Sequence, residues 1–407
     1  MKFYNGLHVN RLTVSTSQLI WFLSISLPFQ YQFVNSLELG NLPVYLTFGL
    51  ICIFGIRNFL RRIPKNILYI LILFLIVFLG IPTFAFRILD MNGLFFATGL
   101  VVFAMTTAII GQYMATDYKR YIYGFTVANQ MHLIYSSFNH IYEFNSRTIL
   151  SVLYATDNHV YTFRYRAWLG FSHPNWIALF FLMQMILLFA CTKICEKKRK
   201  KYLIILIFLN AIPLLCTGSR TAIINCILFF LINTVISSRH AYQRKLRIYA
   251  FGIFLFIVGV FALLSYTERI AEFSSGRVEL VIDRIAGVNS LWFGNRVNST
   301  SVDVTNIIEN YYVTHILRFG LLSLLIFLYA KYRFWFYGVK QMLNDSQLSW
   351  IPVFFIVMLV YGMGEAVVFN QAVSLSFLFL VVSWTSCFSA VHKNIVGDFV
   401  CERTRHI

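Results

Sequence analysis

Ten arginines carry the first chemical signal. Arg87, Arg147, Arg164, Arg166, Arg269, Arg277, Arg284 and Arg296 fall in one set of segments between apolar runs, with Arg220 and Arg318 in the first part of the runs that follow them, and the alternating set holds all twelve lysines. Ordinary solvated loops mix the two residue types. A face with arginine alone offers planar forks of donors that grip phosphate oxygens in pairs and never deprotonate. The chemistry this predicts is the holding of an anion, a phosphate or diphosphate. Arginine–carboxylate pairing is the alternative, because eleven of the sixteen acidic residues share that face.

Arg220 lies inside "LCTGSRTAII" (215–224), between two runs that each read as a membrane-spanning helix. A charge at hydrocarbon depth costs about 2.5–3.5 kcal/mol, so the residue must hold something there. A helix start adds backbone N–H donors to the same anion site. Arg277 in "FSSGRVELVIDRI" (273–285) and Arg296 in "LWFGNRV" (291–297) supply further positive charge. Glu309 opens "IIENYYVTHILRFGLLSLLIF" (307–327) and offers a carboxylate able to take a hydroxyl's proton. A plain helix-start carboxylate, favoured by the macrodipole, is the other reading. Tyr312 shares its face at i+3. Arg318 lies about 180° round the helix and joins Tyr311 and His315 in a separate stripe. His173, before Pro174, and His159 either bind sugar or serve as cap and surface residues. Tyr154, Tyr161, Tyr165 and Trp168 suit stacking on sugar rings or an interfacial aromatic belt. Metal-ligand clusters, Gly-rich nucleotide loops and Ser-His-Asp spacings are missing from the sequence, so no metal and no cofactor is expected.

These residues must be positioned by an unusual set of elements. The 407 residues are 58% hydrophobic, 18% aromatic and 12% charged, which excludes the soluble globular classes. Alternating polar and apolar 10-residue segments do not occur, so the prediction is an all-α polytopic membrane protein rather than a barrel. Twelve spans are expected, at 18–36, 42–56, 67–85, 94–113, 121–138, 174–192, 202–217, 220–237, 248–266, 310–330, 350–368 and 371–390. No small-residue cleavage site follows the first run, which is therefore read as a retained span. Gln18, Gln30 and Gln32 in the first, and Asn129, Gln130 and His132 in the fifth, predict helices that face protein or a cavity. No internal repeat supports an inverted-repeat transporter.

With both termini in the cytoplasm, the inner segments hold 24 of the 34 Lys+Arg and five of the 16 acids. The positive-inside rule thus accounts for the net charge of +18 without nucleic acid as a partner. Two outer loops are long, 139–173 and 267–309, and the second holds an amphipathic pattern from Arg269 to Arg284 that suits the membrane surface. The seven cysteines avoid the outer loops, so no disulfide framework stabilises that face; Cys191 and Cys195, one turn apart, read as packing. The whole chain, 1–407, reads as one transmembrane domain.

Four motifs in order, at 215–224, 273–285, 291–297 and 307–327, resemble the core of the bacterial O-antigen polymerase and O-antigen ligase superfamily. "GFSHPNWIALF" (170–180) is a weaker upstream piece, and the similar region spans about 170–330, including loop 267–309. The resemblance implies a metal-independent glycosyltransferase of the bacterial inner membrane, with its active site on the outer, periplasmic face. Its substrate, as donor and acceptor, would be an undecaprenyl-diphosphate-linked oligosaccharide, making O antigen or capsule. Membrane lipids, chain-length regulators and flippase proteins are the other implied partners. On this resemblance Glu309 is the catalytic residue. Arg220, Arg277, Arg296, Asn310, Tyr312, Arg318, Arg166 and His173 contact diphosphate or glycan. Glu309 stands where ligases of the family carry a histidine, and Gly294-Asn295-Arg296 replaces a Gly-x-Gly. A repeat-unit polymerase is therefore expected. A ligase passing glycan to a lipid acceptor, and a lipid-linked-glycan flippase, are the alternatives.

Overall fold

The computed structural model describes residues 16–27, 30, 42–63, 65–76, 91–145, 148, 166–171, 173–236, 291–292, 311–344, 346–364 and 377–389. The protein is all-α, and no strand occurs among the described residues. The main helices are α1 (Thr16–Leu27), α2 (Leu42–Arg62), α3 (Lys65–Leu75), α4 (Met91–Thr116), α5 (Tyr118–Asn139) and α6 (Pro174–Ile194). They continue with α7 (Lys197–Cys216), α8 (Arg220–Ile236), α9 (Tyr311–Asn344), α10 (Trp350–Gly364) and α11 (Phe377–Ser389). Their boundaries follow local chemistry. Asp117 caps α5 by accepting from the Arg120 N–H at 3.4 Å, and His173 caps α6 with Pro174 at its first position. Ser219 Oγ accepts from Ala222 N–H at 3.4 Å at the start of α8.

Contacts along the helices set their directions. α2 runs parallel to α4, since Phe48 meets Phe103, Cys52 meets Thr106, and Asn58 donates to the Tyr113 hydroxyl at 3.1 Å. α5 turns back at Asp117 and lies antiparallel to α6, pairing Thr126 with Cys191 and Asn129 with Gln184. α8 follows α6 in parallel, Cys226 beside Met185 and Phe229 against Phe189. α11 follows α2, Phe377 against Phe48 and Phe388 against Phe59. α4 and α11 touch so closely that a Cβ on Gly111 would lie 2.4 Å from the Trp384 Cβ. These directions bring Arg57, Arg61, Lys65, Lys119, Arg120, Lys193 and Lys197 to Lys201 to one end of the bundle. Arg166, His173 and Arg220 go to the other. The apolar contacts thus separate basic residues by end in the same sense as the count along the sequence.

The core is apolar, and α7 and α8 also turn apolar faces outward. α7 buries Ile207, Asn210 and Leu214 and exposes Tyr202, Phe208, Leu209 and Ile212. α8 buries Asn225, Phe229 and Asn233 and exposes Ile224, Ile227 and Leu231. Asn129 and His132 face protein, as expected. An amide ladder crosses three helices here. Asn129 donates to Gln184 Oε1 at 3.0 Å, Gln184 to Gln130 Oε1 at 2.9 Å, and Asn210 to the same oxygen at 2.9 Å. Two helices, Leu42–Arg61 and Pro174–Ile194, are long and apolar enough to cross a membrane. Thr16–Leu27, Val101–Thr116, Arg220–Thr234, Trp350–Gly362 and Phe377–Ser389 are apolar but shorter, and the expected span 248–266 lies outside the described residues.

The expected continuous helix over 310–330 is corrected. Gly320 breaks α9 with φ 81° and ψ 170°, a conformation that suits glycine because it has no Cβ to clash. The chain doubles back there. His315 hydrogen-bonds Ser323 at 2.9 Å and its ring lies 5.4 Å from that of Phe327, contacts that a straight helix separates by a dozen ångströms or more. Tyr312 and Ile316 accordingly pack against Leu324 and Phe327. The second arm runs to Gly338 beside Ile351 and Phe355, near the lysine-rich end. Gly320 therefore tops the opposite end, roughly 25 Å away at 1.5 Å per residue. The first arm, 311–319, is too short to span and climbs toward that tip. Lys331 is corrected as well. Expected in an inner loop, it is buried in the second arm, its ammonium 4.9 Å from the Phe327 ring and 4.4 Å from that of Phe379.

Candidate functional site

The arginine-bearing end is built around the six-residue segment 166–171. Arg166 Nε donates to the Thr217 carbonyl at 2.7 Å, and a terminal guanidinium nitrogen donates to Asn175 Oδ1. Ala167 N–H donates to the Cys216 carbonyl at 2.9 Å. Arg166 thus ties the last carbonyls of α7, a helix C-terminus where a cation suits the dipole, to the first turn of α6. From the other side, Glu143 grips the same segment. Its Oε2 accepts from Trp168 N–H at 2.5 Å and from Leu169 N–H at 2.9 Å. Leu169 and Gly170 both have positive φ, 48° and 80°, so the segment bends sharply between these two anchors.

Arg220 opens α8 directly after the turn Thr217-Gly218-Ser219. Met185 meets Cys226, and Phe189 meets Phe229. These pairs place the start of α8 about five residues, or roughly 7 Å, below the start of α6. Arg220 is half-buried at that recessed level. A half-buried guanidinium at a helix N-terminus has the kind of charge that anion binding requires. His173 takes the capping role that the sequence left as one alternative, its Nδ1 accepting from Asn175 N–H at 3.2 Å while its ring lies 6.3 Å from that of Trp168.

Of the other residues expected here, Tyr312 lies in the first arm of α9 and donates its hydroxyl proton to the Leu359 carbonyl of α10 at 2.6 Å. Arg318 falls on the same arm, two residues before the Gly320 reversal. Glu309, Asn310, Arg277 and Arg296 lie outside the described residues, as does most of loop 267–309. One part of that loop is described, and it joins two of the motifs. Leu321 N–H donates to the Leu291 carbonyl at 2.9 Å, and Leu322 N–H to that of Trp292 at 3.4 Å. The loop so provides acceptors for the exposed first turn of the second arm, which otherwise would have none. The structure brings Arg166, His173 and Arg220 together around segment 166–171, and it brings 291–292 to Gly320.

Sequence reasoning missed Glu143, His140, Asn175 and Gly170. The stretch "FNHIYEF" holds no spacing that distinguishes its His and Glu from surface residues, and only the fold brings Glu143 to Trp168. No three-residue grouping of His, Cys, Asp or Glu suited to a metal ion occurs among the described residues. Set against protein-family models and against curated proteins, the chain matches none of either.

Proposed function

We propose that the chain is a multi-pass glycosyltransferase of the bacterial inner membrane with twelve spans and both termini cytoplasmic. It transfers a growing glycan from undecaprenyl diphosphate to the next lipid-linked repeat unit on the outer, periplasmic face. The observation that carries the reading is the recessed Arg220, half-buried at a helix start at the end opposite the lysines. The outward apolar faces of α7 and α8 support a lipid surround, because large apolar side chains stay exposed while Asn210, Asn225 and Asn233 are buried. The ordered motifs support the substrate class by resemblance.

In this reaction an acceptor hydroxyl attacks the anomeric carbon of the donor sugar. The new glycosidic bond forms as the bond from that carbon to the diphosphate oxygen breaks, its electron pair leaving with the phosphate. Fixed positive charge lowers the barrier most at that point, since charge develops on the leaving group. Arg220, at the start of α8, supplies it. The resemblance adds Arg277, Arg296, Arg318, Asn310 and Tyr312 as contacts to diphosphate or glycan. The resemblance assigns the hydroxyl's proton to Glu309.

Deleting the gene and profiling surface glycan tests the reading. Loss of a polymerase leaves single repeat units on the surface. Loss of a ligase leaves none and accumulates long lipid-linked chains, and an unchanged profile overturns the assignment to glycan assembly.

A further inference from the structure

We propose that a groove between α7 and α8 holds an anionic phospholipid of the inner leaflet, its phosphate on Lys193 and Lys200. The inference rests on the membrane reading and is independent of the transferase chemistry. α7 and α8 are joined by the turn Thr217-Gly218-Ser219, and both pack on α6 more than on each other. They leave between them a groove that opens toward the lysine-rich end.

Its floor at that end is half-buried Phe189 of α6, whose ring lies 5.7 Å from that of Phe230 of α8. Lys193, one turn further along α6, lays its ammonium 4.9 Å from the Phe189 ring. Lys200 of α7 stands near enough to Lys193 to repel it. Lys200, Lys193, Phe189 and Phe230 thus run from one wall of the groove to the other. The walls themselves are apolar. On α7, Ile204, Ile207 and Ala211 continue the stripe of Lys200 at i+4, i+7 and i+11. On α8, Ile223, Ile227 and Phe230 make a matching stripe. Ile204 is 47% exposed and Ile227 55%, so the groove is open along its length.

Helix stability does not account for the cations. Lys197 to Lys201 occupy the start of α7, where the macrodipole disfavours positive charge, and the first turn holds no acid. Exposed Glu196 makes no side-chain cap, and neither Lys193 nor Lys200 has a carboxylate within ion-pair reach among the described residues. The positive-inside rule is met by the exposed Lys197, Lys198 and Lys201. It does not require two ammonium groups to converge at the foot of an apolar groove. A ligand with a negative head and an apolar tail answers both features. From Lys200 to Thr217 the groove is about 25 Å long at 1.5 Å per residue. One leaflet holds roughly 15 Å of hydrocarbon, so a phospholipid's chains fit within it.

The test titrates full-length protein in dodecyl maltoside with phosphatidylglycerol or phosphatidylcholine and counts retained lipid by native mass spectrometry. Wild type should retain phosphatidylglycerol at least about tenfold more tightly, each lysine contributing about fivefold. Lys193→Gln combined with Lys200→Gln should bring the two lipids within about threefold. The outward triple variant, Lys197→Gln with Lys198→Gln and Lys201→Gln, should keep the preference. Lys200→Glu, which gives Lys193 a partner, should also lose it and serves if the double variant folds poorly. Inorganic phosphate, which has no tail, should not displace the lipid. The proposal falls if wild type holds both lipids equally, or if the folded double variant or Lys200→Glu keeps the preference. It falls equally if the triple variant loses the preference or if inorganic phosphate displaces the lipid. Retention of phosphatidylglycerol by a protein that extends no glycan would uphold the site and overturn the transferase reading.

Discussion

Arg166 was expected among the diphosphate ligands, yet its visible bonds are those of a clasp, and Arg166→Met separates the two roles. The substitution removes two charge-assisted hydrogen bonds, to the Thr217 carbonyl and to Asn175 Oδ1. Such bonds contribute about 1.5–3 kcal/mol each when well buried. The residue is half-buried, so the lower end applies, giving a loss of about 3 kcal/mol. A domain of 150–250 residues shifts its Tm by about 2–4 °C per kcal/mol, and a larger chain by less. The expected drop in apparent melting temperature in detergent is about 3–6 °C. Trp168, two residues along, makes intrinsic fluorescence a local as well as a global readout. Arg166→Lys keeps the charge but not the fork, so it should recover no more than about half of the loss. Extension of lipid-linked glycan, measured well below melting, should fall less than about tenfold in Arg166→Met. A variant that melts with wild type while losing about a hundredfold in activity would refute the clasp and make Arg166 a substrate ligand.

Arg220→Lys carries the opposite expectation. It should melt within about 1 °C of wild type, because Lys retains the charge at the helix start, yet lose at least about tenfold in glycan extension as paired donation to the diphosphate is lost. Normal chain length at matched expression would remove Arg220 from the site. Topology is checked by labelling in a cysteine-free background. Asp157→Cys and Asn289→Cys should react with an impermeant maleimide from outside intact spheroplasts and Lys198→Cys should not, whereas the reverse pattern would invert the inner and outer ends.

Much of the fold could be read from the order of residues, and the reasons are local. Charge gaps, Pro174 after a capping histidine, and Asp117 before α5 each mark a helix boundary through chemistry within four residues. The amides Asn129 and Gln130 announced a protein-facing helix because an unpartnered amide costs too much in an apolar surround. What that pattern could not show was that their partners are Gln184 and Asn210, on α6 and α7. Gly320 illustrates the converse. Apart from Arg318, "LRFGLLSLLIF" (317–327) is apolar and so reads as part of one span, since a single glycine leaves the running average nearly unchanged. The reversal depends on a backbone conformation and on two carbonyls contributed by Leu291 and Trp292, neither of which has a hydropathic signature.

The site divides along the same line. Arginines are legible because a charge in an apolar run is anomalous wherever it stands, and Arg220 needed no fold to be noticed. His140 and Glu143 follow an exposed helix end, where such residues are ordinary, and their significance depends on what the next segment does. Glu143 becomes a fixed carboxylate only because residues 166–171 return to offer two N–H groups, and His140 gains room only because residue 170 has no Cβ. A charge can be noticed from its own cost of burial, whereas a fixed carboxylate such as Glu143 exists only as a relation between segments that the fold brings together. The division also predicts where experiment should be most informative. Substitutions at the arginines test a chemistry that charge alone suggests, whereas substitutions at Glu143 and Gly170 test how the fold holds segment 166–171.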